Sequence, residues 1–207
     1  MKKLLFFSAC IMLAFTSCKK DSSKTTSSNT ITATVGGSNI TFSTNATGGL
    51  ATDSGLYVLE IVGLTGTNSS AQSMSIGLVS DAPIVKGTYT FNSADTTSSA
   101  TVFPDVEYVK NLSGDDSDVF GTNVVINIGN GPITIPTSTT TVIITSISSN
   151  NVQGTFSGLL VNEGDNTTTE TVTNGKFNVA ISASKIQSLN SRISATKLRL
   201  FKNRVRN

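Results

Sequence analysis

Val152, Gly154, Phe156, Gly158 and Leu160 occupy every second position of one short stretch. A period of two is the signature of a pleated strand, whose alternate side chains leave the same face. A helix would scatter these residues around its circumference, so the pattern excludes a helical reading here. Glycines alternate with large apolar side chains along that face. Bare backbone beside bulk suits it to close packing from an opposing sheet.

The rest of the chain repeats this theme. Ile31, Ala33 and Val35 alternate with Thr, then Gly36-Gly37-Ser38-Asn39 precedes Ile40 and Phe42. Alternation, a Gly-rich turn and renewed alternation predict a β-hairpin. Further apolar runs span Tyr57–Val62, Ser73–Val79, Thr88–Phe91, Thr101–Val109, Thr122–Ile128, Thr140–Ile147, Val152–Leu160 and Thr169–Ile181. Pro104 inside one run predicts an edge strand or a bulge, because proline cannot donate to a ladder. Asn174-Gly175 inside another predicts a tight turn or a bulge with the glycine at positive φ. No stretch before Ser182 carries helical periodicity, and no internal repeat is found. The expected fold is all-β: an antiparallel β-sandwich, or a partly closed barrel, of about nine or ten strands.

Composition narrows the chemistry. Only 14% of residues are charged, and the chain has no His, no Trp and two Cys. Without His there is no Ser-His-Asp triad, no Cys-His dyad and no His-ligated metal. No phosphate-cradling loop or Cys/His metal box is present. We therefore expect neither an enzyme nor a cofactor.

The N-terminus reads as an export signal. Lys2 and Lys3 precede a 12-residue apolar run, Leu4 to Phe15, and then Thr16-Ser17. The run is too short for a membrane-spanning helix, which needs about 20 apolar residues. Phe15-Thr16-Ser17-Cys18 resembles a bacterial lipobox, with Ser17 at the small −1 position and Phe15 in place of the usual Leu. Residues 1–17 would be removed, taking Cys10 with them, and Cys18 would carry fatty acyl chains. That leaves no free thiol and no disulfide. Each buried CH₂ contributes about 0.8 kcal/mol, so several chains would anchor the protein firmly to the membrane. Lys19-Lys20-Asp21 after the Cys resembles the start of lipoproteins of the Bacteroidota, where such charges direct export to the outer face of the outer membrane. The cell surface is the expected location, with the periplasmic face as the alternative.

Residues 18–29 follow as a tether without apolar residues after the Cys, residues 30–181 as the sandwich, and residues 182–207 as a basic, Ser-rich extension. The net charge of +2 hides an asymmetry: between residues 25 and 184 stand three basic residues (Lys86, Lys110, Lys176) against twelve acidic ones. A body of that sign repels polyanions, so no nucleic-acid partner is expected. The extension holds Lys185, Arg192, Lys197, Arg199, Lys202, Arg204 and Arg206 and no acid. Ile186, Leu189, Ile193, Leu198, Phe201 and Val205 have helix-like spacing among them. One reading is an amphipathic segment for acidic lipid headgroups or for the acidic body. The plainer reading, a solvated extension, is the one the sequence favours, because basic runs are most often solvated.

Several constellations are candidate sites. Asp115, Asp116 and Asp118 form a compact loop with the oxygen chemistry of a Ca²⁺ ligand set, but without the spacing and closing Glu of an EF-hand. A solvated turn is the preferred reading. Asn162-Glu163-Gly164-Asp165-Asn166 reads as a hairpin loop. Asp105 and Glu107 leave one strand face about 6.5–7 Å apart at Cα, a separation seen in glycosidase pairs but too common on strand faces to argue for one. Tyr89 and Tyr108 are the candidate ligand contacts for stacking a sugar. Packing at the sheet rim is the commoner use of Tyr and the preferred reading. Asn39-Ile40-Thr41 and Asn45-Ala46-Thr47 match the N-glycosylation sequon by chance in a Thr-rich chain. Asp95-Thr96-Thr97 resembles the short O-glycosylation motif of the Bacteroidota.

Three stretches together carry a resemblance: Val142-Ile143-Ile144-Thr145-Ser146-Ile147; Asn151-Val152-Gln153-Gly154-Thr155-Phe156-Ser157-Gly158; and Thr171-Val172-Thr173-Asn174-Gly175-Lys176-Phe177-Asn178-Val179. They are similar to the C-terminal half of small β-sandwich lipoproteins of the Bacteroidota, a group without an assigned activity. The Thr30 to Phe42 hairpin and Gly87-Thr88-Tyr89 match its N-terminal half. The resemblance implies a lipid-anchored sandwich and carries over no catalytic residue. The segment after Ser182 departs from it. The functions this leaves are an interaction or accessory module for an envelope protein, a carbohydrate-binding component of glycan uptake, or a pilin-like subunit.

Overall fold

A computed structural model describes residues 29–53, 55–93, 102–115, 118–122 and 137–182. The strands are β1 (Thr30–Val35), β2 (Ser38–Phe42), β3 (Thr44–Asp53), β4 (Leu56–Leu64), β5 (Ser73–Ser80), β6 (Gly87–Asn92), β7 (Val102–Val109), β8 (Val119–Gly121), β9 (Thr139–Ile147), β10 (Asn151–Asn162) and β11 (Thr169–Ala180). Their named ladders are all antiparallel and follow the path β2-β1-β11-β10-β8-β7-β5-β4-β3. The fold is an all-β sandwich nearly closed into a barrel.

The β1–β2 hairpin forms as the sequence predicts. Ile31, Ala33 and Val35 point inward and Thr residues outward. Gly36 and Gly37 both have positive φ, 53° and 85°. A two-residue loop with this geometry matches the twist of the flanking strands, and glycine adopts it without a Cβ clash.

β10 is the branch point of the sheet. Along one edge it pairs with β11 from Asn151 to Val161. On the other edge Val152 to Gly158 pair with β9, which carries β6, whereas Val161 and Asn162 pair with β8. One strand thus belongs to both layers, and its inward face carries the period-two residues. Gly154 lies opposite Phe177, and Phe156 lies opposite Gly175. Each ring covers its partner's missing side chain: a Cβ on Gly154 would overlap the Phe177 ring, and one on Gly175 would stand 2.7 Å from the Phe156 ring. The two rings lie 6.3 Å apart.

The Asn174-Gly175 irregularity is a bulge, seen as a register shift against both β1 and β10. The residue at positive φ is Asn174 (53°), not Gly175. Asn tolerates the left-handed region, and the glycine is needed for room beneath Phe156. Pro104 pairs only with β5, opposite Leu78, while β8 reaches Glu107 to Val109 alone. It therefore stands on a stretch of β7 whose second edge carries no described strand. The expected strand over Thr122–Ile128 falls largely outside the described residues, and β3 and β8 were not expected.

The main core fills the space between the layers. Phe42, Tyr108 and Phe120 form a chain of rings through it, with successive centroids 6.4 Å apart. A smaller cluster of Leu56, Val58, Val79, Phe91 and Phe103 lies apart from this core. It forms where Phe91 of β6 meets Phe103 of β7, 4.7 Å between ring centroids. The barrel closes where Gly48 of β3 bridges Ile181, and Ser182 N–H donates to Gly48 O at 2.9 Å. At this same end the chain enters: Asn29 Oδ1 accepts the N–H of Ala180 at 2.8 Å.

Candidate functional site

Two loops meet at the other end of β10 and β11. One runs from Lys110 to Asp118, between β7 and β8; the other spans residues 163–168, between β10 and β11. In the sequence each reads as a separate acidic turn. The fold brings them together through β8, whose Val119 O accepts the N–H of Glu163 at 2.9 Å.

The second loop is organised by two side chains. Buried Asn162 accepts the N–H groups of Gly164 and Asp165 at 2.9 and 3.0 Å. Asp165 Oδ1 accepts those of Thr167 and Thr168 at 2.7 and 2.8 Å, and the Thr168 hydroxyl donates to Oδ2. Hydrogen bonds to the ionised form favour it. The Thr168 hydroxyl, then the Thr167 and Thr168 N–H groups, lower the Asp165 carboxyl to about 2. The first loop is tied down by Lys110 N–H to Asp118 O at 2.9 Å and by Leu112 N–H to Ala71 O at 3.0 Å.

Between the loops lies an open cleft of about 610 Å³, lined by Lys110, Asp115, Phe120, Asn162, Gly164, Asp165 and Thr168. Lys110 Nζ is 2.7 Å from Glu170 Oε1 and 4.5 Å from the centroid of the Phe120 ring. The ammonium caps the outermost ring of the aromatic chain. Next below is Tyr108, whose hydroxyl is held above its ordinary pKa by burial first, then by the charges of Glu170 and Asp118. Half-exposed Lys110 gives an ion pair of up to about 1 kcal/mol, so its placement matters more for the cleft than for stability. Carboxylates, an amide and one ammonium around open space can exchange hydrogen bonds with a polar ligand. Asp115 and Asp165 line the cleft with Lys110, and Glu170 pairs with that ammonium, so among the described lining groups the prevailing sign is negative.

Other sequence candidates fall elsewhere. Asp115 O accepts the N–H of Asp118 at 3.0 Å, closing the turn, while Asp116 lies outside the described residues. Among the described residues no group of three or more His, Cys, Asp or Glu side chains is placed to hold a metal ion. Tyr108 is corrected as a ligand contact: at 4% exposure it offers no ring face for stacking. Tyr89 bends its ring back over Gly87 and spends its hydroxyl on Val85, donating to its O at 2.6 Å and accepting from its N at 3.1 Å. That use fastens the approach to β6. Asp105 and Glu107 do share a strand face; across Gly77 from Asp105 stands Glu60 of β4. Cys18, Asp95-Thr96-Thr97 and the basic extension after Ser182 lie outside the described residues.

Nothing in the local sequence marks Lys110, Phe120 and Glu170 as site residues. Lys110 was visible as one of three basic residues in the body, but nothing local pairs it with Glu170. No protein-family model, no curated protein and no solved structure matches the chain.

Proposed function

We propose that this protein is a lipoprotein of the bacterial cell envelope, acylated at Cys18 and held on the outer face of the outer membrane. Its β-sandwich is a non-catalytic interaction module that offers the Lys110 cleft to an envelope protein or a glycan. The sequence similarity to small Bacteroidota lipoproteins is in keeping with this reading.

One observation carries it. The chain enters the fold at Asn29, beside Ala180, whereas the cleft lies beside Glu170 at the opposite end of β11. Ten strand residues at 3.2–3.4 Å each separate these points by roughly 33 Å. The tether from Cys18 to Asn29 adds at most about 40 Å when extended. An anchor at Cys18 would therefore join the sandwich at the end of β11 opposite the cleft.

The Cys18→Ala variant tests the anchor. It should lose incorporation of labelled palmitate and move from the membrane to the soluble fraction. Retention in the membrane together with unchanged labelling would overturn the proposal. A glycan array probed with the chain from Lys19 onward then separates the two kinds of partner. Sugar binding that Lys110→Ala abolishes assigns a glycan to the cleft, and the absence of sugar binding assigns a protein.

A further inference from the structure

β2, β1, β11, β10, β9 and β6 lie side by side in one layer. Their outward side chains align across the ladders, and Thr41, Thr32, Lys176, Thr155, Ile143 and Thr88 form one continuous row. Neighbouring strands stand about 4.8 Å apart, so the row presents its groups at that interval. These six strands contain one acidic residue, Glu170, which pairs with Lys110 at the cleft. Lys176 stands instead between the hydroxyls of Thr32 and Thr155. Among the described residues no carboxylate is within ion-pairing distance of it.

A groove of about 340 Å³ crosses four of these strands, from Thr30 and Thr32 past Lys176 and Asn178 to Gln153, Thr155 and Thr145. A bulge shapes one end. Ser146 faces Gln153 and Ile144 faces Gly154, so Thr145 is the extra residue of β9, and both Thr145 and Ser146 are exposed. Bulges re-aim side chains and recur beside binding sites. Gly154 adds no side chain, so the groove reaches down to the Phe177 ring. The amides are fixed in a relay: Gln153 Nε2 donates to Asn151 Oδ1 at 3.1 Å, and Asn151 Nδ2 donates to Asn178 Oδ1 at 3.0 Å. The relay leaves Gln153 Oε1 to accept and Asn178 Nδ2 to donate.

We propose that this groove is a second binding site, for a saccharide chain that bears spaced carboxylates. Hydroxyls and amides that both donate and accept are complementary to sugar hydroxyls. The ammonium of Lys176, without a carboxylate of its own, is complementary to one carboxylate of the chain. Three steps between four strands give the groove a length of about 14 Å, which suits a short oligosaccharide rather than one sugar. A polymer charged on every unit meets repulsion from the twelve acidic residues of the body, so sparse charge is favoured over dense. The site is separate from the Lys110 cleft and does not depend on what the cleft binds.

The test is an NMR titration of the chain from Lys19 onward with hyaluronan hexasaccharide, which carries a carboxylate on alternate sugars. Saturable shifts should gather on the amides of Thr32, Thr145, Thr155 and Asn178. Chitohexaose, the uncharged comparison, should bind at least tenfold more weakly. Lys176→Gln should weaken hyaluronan binding at least tenfold, and Lys176→Arg should retain it. Lys86→Gln, which removes the same charge from an exposed loop, should leave the affinity unchanged. Equal affinity for chitohexaose, no saturable binding, unchanged affinity in Lys176→Gln, or shifts that gather around Lys110 instead would overturn the proposal. Any of these results, with palmitate labelling of Cys18 intact, would remove the second site and leave the envelope anchor standing.

Discussion

The paired glycines of β10 and β11 show how narrowly single residues are constrained. Gly175 lies beneath the Phe156 ring and close to its carbonyl oxygen, so a methyl there must displace both. Overpacking of this kind costs about 1–3 kcal/mol. Gly175→Ala should lower stability by that amount in denaturant titrations, and Asn174→Gly, one residue earlier, should leave it nearly unchanged because glycine accepts the same positive φ. Asp165 makes a prediction in pH. Its folded pKa of about 2 lies below the ordinary 3.8, so the folded state binds its proton less readily than the unfolded chain. The stabilisation is fully present above about pH 4 and disappears as pH falls through about 2. Asp165→Asn should thus melt at a lower temperature than the natural protein at pH 7, with the difference closing over that window. A constant difference from pH 7 to pH 2 would show that the carboxylate's charge is irrelevant. Tyr108 behaves in the opposite sense: its raised pKa gives stability that is present below pH 10 and lost as alkali titrates the folded hydroxyl.

Whole elements depend on signals of uneven strength. The β1–β2 hairpin was legible because alternation and a Gly-Gly turn agree, and its register confirms both. Replacing Gly36 and Gly37 together by Ala should cost about 1–2 kcal/mol per strained residue, with urea unfolding as the measurement. β3 was not legible. In Thr44–Asp53 only Leu50 is a large apolar residue; its strand form comes from the full-length ladder with β4. Its glycines mark a close approach instead, since Gly48 sits 3.3 Å, at its would-be Cβ, from Val179. β8 has three residues, too few for any period to show. The same limit applied to the site. Each acidic loop was readable as a turn, but their convergence depends on pairing between residues more than forty positions apart in sequence, Val119 and Glu163. Local pattern contains no information about that distance. Nor could it distinguish Tyr108, which continues the inward face of β7, from a rim tyrosine.

At the scale of the molecule the charge distribution ties the parts together. A body of three basic and twelve acidic residues lies between two basic terminal segments, and within it the carboxylates of the two hairpin loops gather far from where the chain enters. Removing residues 185–207 should change the stability of the sandwich by less than about 0.5 kcal/mol, because the strands close at Gly48–Ile181 before the segment begins. A shift of several degrees in thermal unfolding would instead make the segment part of the fold. Lipid attachment at Cys18 is the claim on which the proposed envelope role rests. Intact-mass analysis of protein extracted from native membranes tests it most directly. The account predicts a chain that begins at Cys18 and carries fatty acyl groups; an unacylated chain, or one retaining Met1 to Ser17, would contradict it.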